Sequence, residues 1–429
     1  MNGKFSRRDL LSGMATFAAV GALGSMAAAS RQAFAASGDR KFLFFFASGG
    51  WDATPLDPKF AEDGVSPVGG TDMDPETVRA SLGNLSWSSG PDREGMDTFF
   101  RRWGGYSHIV RGVNVHSAGH ESGMQWMMTG SSASSIPDWP TILASHGSID
   151  YPMPHLVFSG PAYPGNLGAA VVRGGGGSLL SLIDGSINGS VDRPQEVLST
   201  PLDSMTDALV YDRAARFAAT KTGFAKRRSE DLLSNLERAM ELEGRRFEAG
   251  LDRNGGSMLD QAVMAIEVMR LGLSRCAMIN IPGGWDTHGG NRNVGPQLHN
   301  FFLDLDAILD ALAATPGTSS ARLLDEVTIV CTSELGRTPK FNGSMGRDHW
   351  PYTSMLLVGS GIRGNRVSGS TDESFVANAS DLDTGLPLEG GETIGTEHVG
   401  TALLELGEVD SGLFLPGVPP LRSILRNAG

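Results

Sequence analysis

The stretch "KFLFFFASGG", residues 41–50, is apolar at six of its first seven positions and then runs into two glycines. A run that is apolar at every position, rather than at every second one, has no face left for water. It reads as a strand covered on both sides, as in a parallel sheet. Further runs of this kind follow at His108–Val115, Pro154–Ser159, Met278–Ile281, Val327–Thr332 and Ser354–Gly359. Helical periodicity separates them, over Ser229–Ala249, Leu259–Leu273, Gln297–Ala314 and Thr396–Leu406. Strands alternating with helices predict an α/β fold, a three-layer α/β/α sandwich around a largely parallel sheet. The Gly- and Ser-rich stretch 160–222 reads as an insertion or cap, and 360–395 as loop with one or two short strands at most. Residues 36–429 are thus expected to form a single domain carrying that insertion.

The first 35 residues read differently. Lys4, Arg7 and Arg8 precede a small and apolar run that ends in "AFA" at 33–35, the pattern of an export signal with a cleavage site. "SRRDLL" at 6–11 resembles a twin-arginine signal, so the expected partner is the twin-arginine export machinery and the expected location periplasmic or secreted. The chain carries a net charge of −13, and this segment, with four basic residues and Asp9, holds +3 of it, leaving the remainder near −16. Such a charge gains nothing from nucleic acid, and anionic lipid is equally unpromising. No second apolar stretch is long enough to span a bilayer. Cys276 and Cys331 both lie in apolar runs and read as buried small hydrophobes more readily than as a disulfide.

Ligands of parallel α/β sheets bind beyond the carboxyl ends of the strands. Asp52 follows the first strand, and His116, His120 and Glu121 follow the second. Asp286 and His288 follow the fourth, Ser333 and Glu334 the fifth, while Asp348 and His349 sit just before the sixth. Asp, Glu and His together suit zinc, manganese or iron, and carboxylate-rich sites also suit magnesium or calcium. Each group has a structural alternative: Asp52 capping a turn, Asp286 in an Asx turn, Glu334 paired with Arg337, His349 packed beside Trp350. Trp51 and Trp285 read as core or wall. The metal reading rests on five strand ends carrying such groups at once.

"GGWDTH" at 283–288, "SELGRTP" at 333–339, "GRDHWP" at 346–351 and "HSAGHESGMQWMMTG" at 116–130 resemble the domain-of-unknown-function 1501 family, grouped with the alkaline phosphatase and sulfatase superfamily. The resemblance implies an α/β/α sandwich with one or two divalent ions at the strand ends. It puts metal ligands at Asp52, Asp286, His288, Glu334, Asp348 and His349. The superfamily's nucleophile position, counted back from Thr129-Gly130, falls on His120 rather than on Ser, Thr or Cys. His120 is therefore expected as ligand or nucleophile, with Ser122 in reserve and Arg337 clamping a substrate oxygen. The chain also departs where Thr287 alone separates Asp286 from His288, and where Ser333-Glu334 replaces an Asp-His pair.

Two functions follow as expectations. One is an exported metal-dependent hydrolase of phosphate or sulfate esters, small-molecule or glycan. The other is a non-catalytic exported binding or assembly protein with a degenerate site. A redox role has no Cys cluster, dinucleotide fingerprint or haem motif behind it.

Overall fold

The computed structural model describes residues 40–68, 78–174, 200–245 and 256–426, with the backbone of 187–188 and 195–196. The expected export signal, the end of the 229–249 helix and much of the 160–222 insertion lie outside the described residues. One sheet of eight strands dominates. In chain order these are β1 (Lys41–Phe46), β2 (Ser107–Asn114), β3 (His155–Val157), β4 (Val171–Arg173), β5 (Cys276–Asn280), β6 (Val327–Thr332), β7 (Tyr352–Gly359) and β8 (Arg366–Ser368). Their spatial order is β8-β2-β7-β6-β1-β5-β3-β4. Only β7 runs against its neighbours β6 and β2. The other pairings are parallel. The sheet is therefore largely parallel, as the uninterrupted apolar runs imply.

Helices cover both faces. They are α1 (Glu94–Trp103), α2 (His120–Thr129), α3 (Trp139–Ser145), α4 (Thr200–Ala219), α5 (Gly223–Arg245), α6 (Met258–Arg270), α7 (Val294–Ala314) and α8 (Thr396–Leu406). Side chains alternate along β1, so Leu43 and Phe45 join one core with α1, α6 and α7. Phe42, Phe44 and Phe46 join the other with α2, α3 and α8. All five are at most 2% exposed. That two-sided burial is what "FLFFF" encodes, and it makes the sheet the middle of three layers. Cys276 and Cys331 are free and buried on β5 and β6, and burial pushes the Cys276 thiol up to about 12.

The antiparallel course of β7 decides where the site can be. Tyr352, its first residue, pairs with Asn114, the last of β2. The loop before β7 therefore reaches the same edge of the sheet as the loops after β1, β2, β5 and β6. Among the described residues no helix is long and apolar enough to cross a membrane.

The far edge supplies a pH test. His108, near the start of β2, donates from Nδ1 to the Arg363 carbonyl at 2.8 Å, and its Nε2 hydrogen-bonds with Ser368 Oγ at 2.8 Å. Burial lowers its pKa from 6.5 to about 4. Between those values the unfolded chain takes up a proton that the folded chain refuses, so stability is full above pH 6.5 and falls as pH drops through the window. Urea unfolding with chelator present should show His108→Gln losing about 2 kcal/mol less between pH 7 and pH 4.5 than the parent chain does. Equal losses would contradict a neutral buried imidazole.

Candidate metal centre

Three histidines from three separate segments turn toward one carboxylate. His120 opens α2, His288 lies in the loop after β5, and His349 stands in the ribbon formed by Gly336–Arg337 and His349–Trp350. His120 Nε2 is 3.6 Å from Asp286 Oδ2. His288 Nε2 and His349 Nε2 are 3.4 and 3.7 Å from Asp286 Oδ1. The ring of His349 lies 4.3 Å from that of His120 and 4.5 Å from that of His288, centroid to centroid. Ligand atoms of His120, Asp286 and His349 all fall within 4.8 Å of one another.

Each imidazole is held from behind by its other nitrogen. His120 Nδ1 donates to Glu334 Oε1 at 2.8 Å. His288 Nδ1 donates to Asp348 Oδ1 at 2.9 Å. His349 Nδ1 donates to the Ala118 carbonyl at 2.7 Å. Since all three partners only accept, each Nδ1 carries a proton, and Nε2 is the ring nitrogen that each histidine turns toward Asp286. This is the arrangement of metal-ligating histidines, whose second nitrogen is almost always tied to a carboxylate or carbonyl. His349 Nε2 is buried and has no hydrogen-bond partner. A buried orphan nitrogen is unfavourable by itself, and a cation bound here would satisfy it. The donor set, imidazole with carboxylate, fits a divalent ion such as zinc, manganese or iron.

The supports are built in turn. Glu334 is buried and also accepts from the Gly49 amide at 2.6 Å and from Ser333 Oγ at 3.1 Å. Asp348 accepts from Asn342 Nδ2 at 2.9 Å, and this bond followed by His288 holds its carboxyl below the ordinary value. Burial alone would raise the Asp286 carboxyl, but the Arg337 hydrogen bond, then the charges of Arg337, His288 and His120, pull it below the usual range. Burial keeps the His349 imidazole low, against the Ala118 bond. Both groups thus stand in the forms that bind cations, carboxylate and neutral imidazole.

The predicted ligands therefore divide. Asp286, His288 and His349 converge, together with His120. Glu334 and Asp348, expected as ligands, stand behind histidines instead. Asp52 is not brought to the cluster. Its carboxylate is buried, 3.1 Å from Arg347 Nε, and accepts from Thr54 and from Asn291 Nδ2. Arg337 is also corrected. Its side chain is fully buried, donating to the carbonyls of Gly49, Gly50 and Arg347 and at 2.8 Å to Asp286, so it orients Asp286 and cannot reach out to a substrate. Ser122 Oγ meets Ser117 Oγ at 2.5 Å and the Gly119 carbonyl, with His120 the residue that enters the cluster. Trp51 and Trp285 are core, 2% and 1% exposed. Asn342 and the Ala118 carbonyl were not legible: an Asn in a loop and a backbone oxygen carry no motif.

Glycines let these loops touch. Gly49, at φ +122°, sits where a Cβ would lie 2.7 Å from the Asp286 amide nitrogen, so the first Gly-Gly-Trp-Asp turn packs directly on the second. At Gly346 a Cβ would meet the Thr287 and His288 carbonyls at 2.0 and 2.3 Å. Gly346→Ala should cost about 1–3 kcal/mol in urea unfolding and weaken metal binding by displacing Asp348 and His349. Glu334→Gln, which keeps the shape and removes the charge behind His120, should weaken metal binding about 10–100-fold by calorimetric titration. An unchanged affinity in either variant would contradict this support scheme.

No curated protein matches the chain. Solved structures it is similar to include Ps i-CgsB in complex with k-i-k-neocarrahexaose, at 9% identity and TM-score 0.37 over 86% of this chain and 72% of that one. Another is the lipoteichoic acid synthase LtaP from Listeria monocytogenes, at 10% identity and TM-score 0.33 over 91% of this chain and 78% of that one. The family profile described as "Protein of unknown function (DUF1501)" matches residues 107–382, the span holding all three converging histidines, Asp286 and their supports, and the chain belongs to that family.

Proposed function

We propose that this protein is a metal-dependent hydrolase of phosphate or sulfate esters, exported by the twin-arginine route. One observation carries the metal reading: three Nε2 atoms, each with its Nδ1 pinned by an acceptor, face the two oxygens of Asp286. The ester class comes from the family resemblance, and export from "SRRDLL" at 6–11.

His120, His349 and Asp286 would hold a divalent ion, with His288 on the same carboxylate. Bound there, the ion would supply Lewis acidity and lower the pKa of a coordinated water. The chain's own contribution is orientation. Glu334, Asp348 and Ala118 fix the imidazole tautomers, and Arg337 fixes the carboxylate. His120 stands at the superfamily's nucleophile position, but its Nδ1 proton is committed to Glu334 and its Nε2 faces Asp286. That supports a ligand rather than a covalent nucleophile. Asp286 is half-exposed, which leaves the cluster open for a substrate.

The test is a screen of phosphate and sulfate esters with the metal-loaded protein and with chelator-treated protein. Chelator-sensitive turnover supports the reading. A second reading, a non-catalytic exported binding protein, draws on the burial of Arg337, which removes the expected clamp for a substrate oxygen. Stoichiometric metal without turnover of any ester would favour it.

A further inference from the structure

A basic, aromatic hairpin tip stands on an acidic protein. Helices α4 and α5 pack side by side through a three-residue turn, Thr220–Thr222, and Tyr211 Oη donates to Glu237 Oε1 at 2.7 Å across the pair. Farther along α5, Arg238 donates to the Ala169 carbonyl at 2.9 Å and fastens the hairpin. From Arg238 back to Gly223 is fifteen residues of helix, or about 23 Å.

Charge is segregated along this hairpin. Residues 213–228 contain Arg213, Arg216, Lys221, Lys226, Arg227 and Arg228 and no Asp or Glu, within a chain of net charge −13. The acidic neighbours are Asp212, which pairs with Arg216, and Glu230, 3.6 Å from Lys226, with Asp231 beyond. Among the described residues, no carboxylate pairs with the other four cations. Apolar groups are exposed beside them. Phe224 is 70% exposed and Phe217 55%, with Lys221 Nζ 4.3 Å above the Phe217 ring. Leu202, Met205 and Leu209 are also exposed, and at helical spacing they fall on the face of α4 that carries Arg213 and Arg216.

Cations and bare aromatic side chains on one exposed element suit a surface that is anionic outside and apolar just beneath. We propose that the α4–α5 tip docks on anionic lipid bilayers. The cations would meet headgroups while Phe217 and Phe224 enter the acyl boundary. The overall charge argues against such a surface, and the local distribution reverses that argument at this tip. Duplex nucleic acid would use the cations but leave the exposed phenyl rings and the leucines of α4 in water.

The experiment is co-sedimentation of the full chain with vesicles of phosphatidylcholine alone, and with equal parts phosphatidylcholine and phosphatidylglycerol. Salt-sensitive binding to the anionic vesicles alone is expected. Lys226→Glu, Arg227→Glu and Arg228→Glu together should weaken it on the order of a hundredfold. Phe217→Ser with Phe224→Ser should weaken it about tenfold. All five side chains are exposed, so the variants should keep the circular dichroism spectrum of the parent. Failure to bind the anionic vesicles would overturn the proposal. So would binding that ignores the Phe substitutions and is matched by heparin, which would make the tip a site for soluble polyanions.

Discussion

Asp286→Ala is expected to weaken divalent-metal binding by more than the 10–100-fold expected for loss of a supporting residue, and to abolish chelator-sensitive ester hydrolysis. The three imidazoles meet on this carboxylate, and it supplies the anionic charge in front of their Nε2 atoms. The fold should survive. Asp286 is half-exposed, so the pair is only partly desolvated. Arg337, fully buried, loses its counter-charge but keeps the Gly49, Gly50 and Arg347 carbonyls, so the loss of stability should be smaller than for a pair buried on both sides. Calorimetric titration with zinc or manganese, beside a urea curve on the same sample, separates the two effects. Wild-type metal affinity in a folded Asp286→Ala protein would remove this residue from the centre.

Asp52→Ala should do the reverse. It leaves Arg347, fully buried, without its counter-charge, and breaking a buried pair by removing one partner costs about 3–5 kcal/mol. Arg347 also donates to the Thr338, Pro339 and Ser66 carbonyls, so its pairing ties the loops after β1 and β6 together. The expected result is a large drop in the urea midpoint, with metal affinity of the folded fraction within a few-fold of the parent. A protein of unchanged stability that had lost its metal would restore Asp52 as a ligand.

Two Asp residues in the same Gly-Gly-Trp-Asp context thus have different tasks, and the reason lies far along the chain. Asp52 meets an arginine from the loop before β7, and Asp286 meets histidines from α2 and the 348–351 segment. Short-range sequence holds no trace of either encounter. The strands were legible because burial on both faces demands an unbroken apolar run, and β1, β2, β5, β6 and β7 follow the expected spans within about two residues, the usual uncertainty of an element's end. Helices α6, α7 and α8 were legible from their apolar stripes. The short α2 was not: its Gly123 lies against the Glu334 carbonyl, so close packing on the site, rather than an apolar face, sets its composition. Arg337 misled for a related reason. An arginine in a strand-end motif suggests a substrate anion, but Arg337 is turned inward onto backbone carbonyls. The edge of the sheet that holds the site could be read from the residues. The sorting of ligands from their supports depended on which loop reaches which.

Elemental analysis of protein purified without chelator is the most direct measurement of the central claim. The geometry of His120, Asp286 and His349 predicts close to one divalent transition-metal ion per chain, or its uptake on reconstitution. Protein that carries none, and takes up none when zinc, manganese or iron is supplied, would contradict a metal centre and with it the proposed hydrolase.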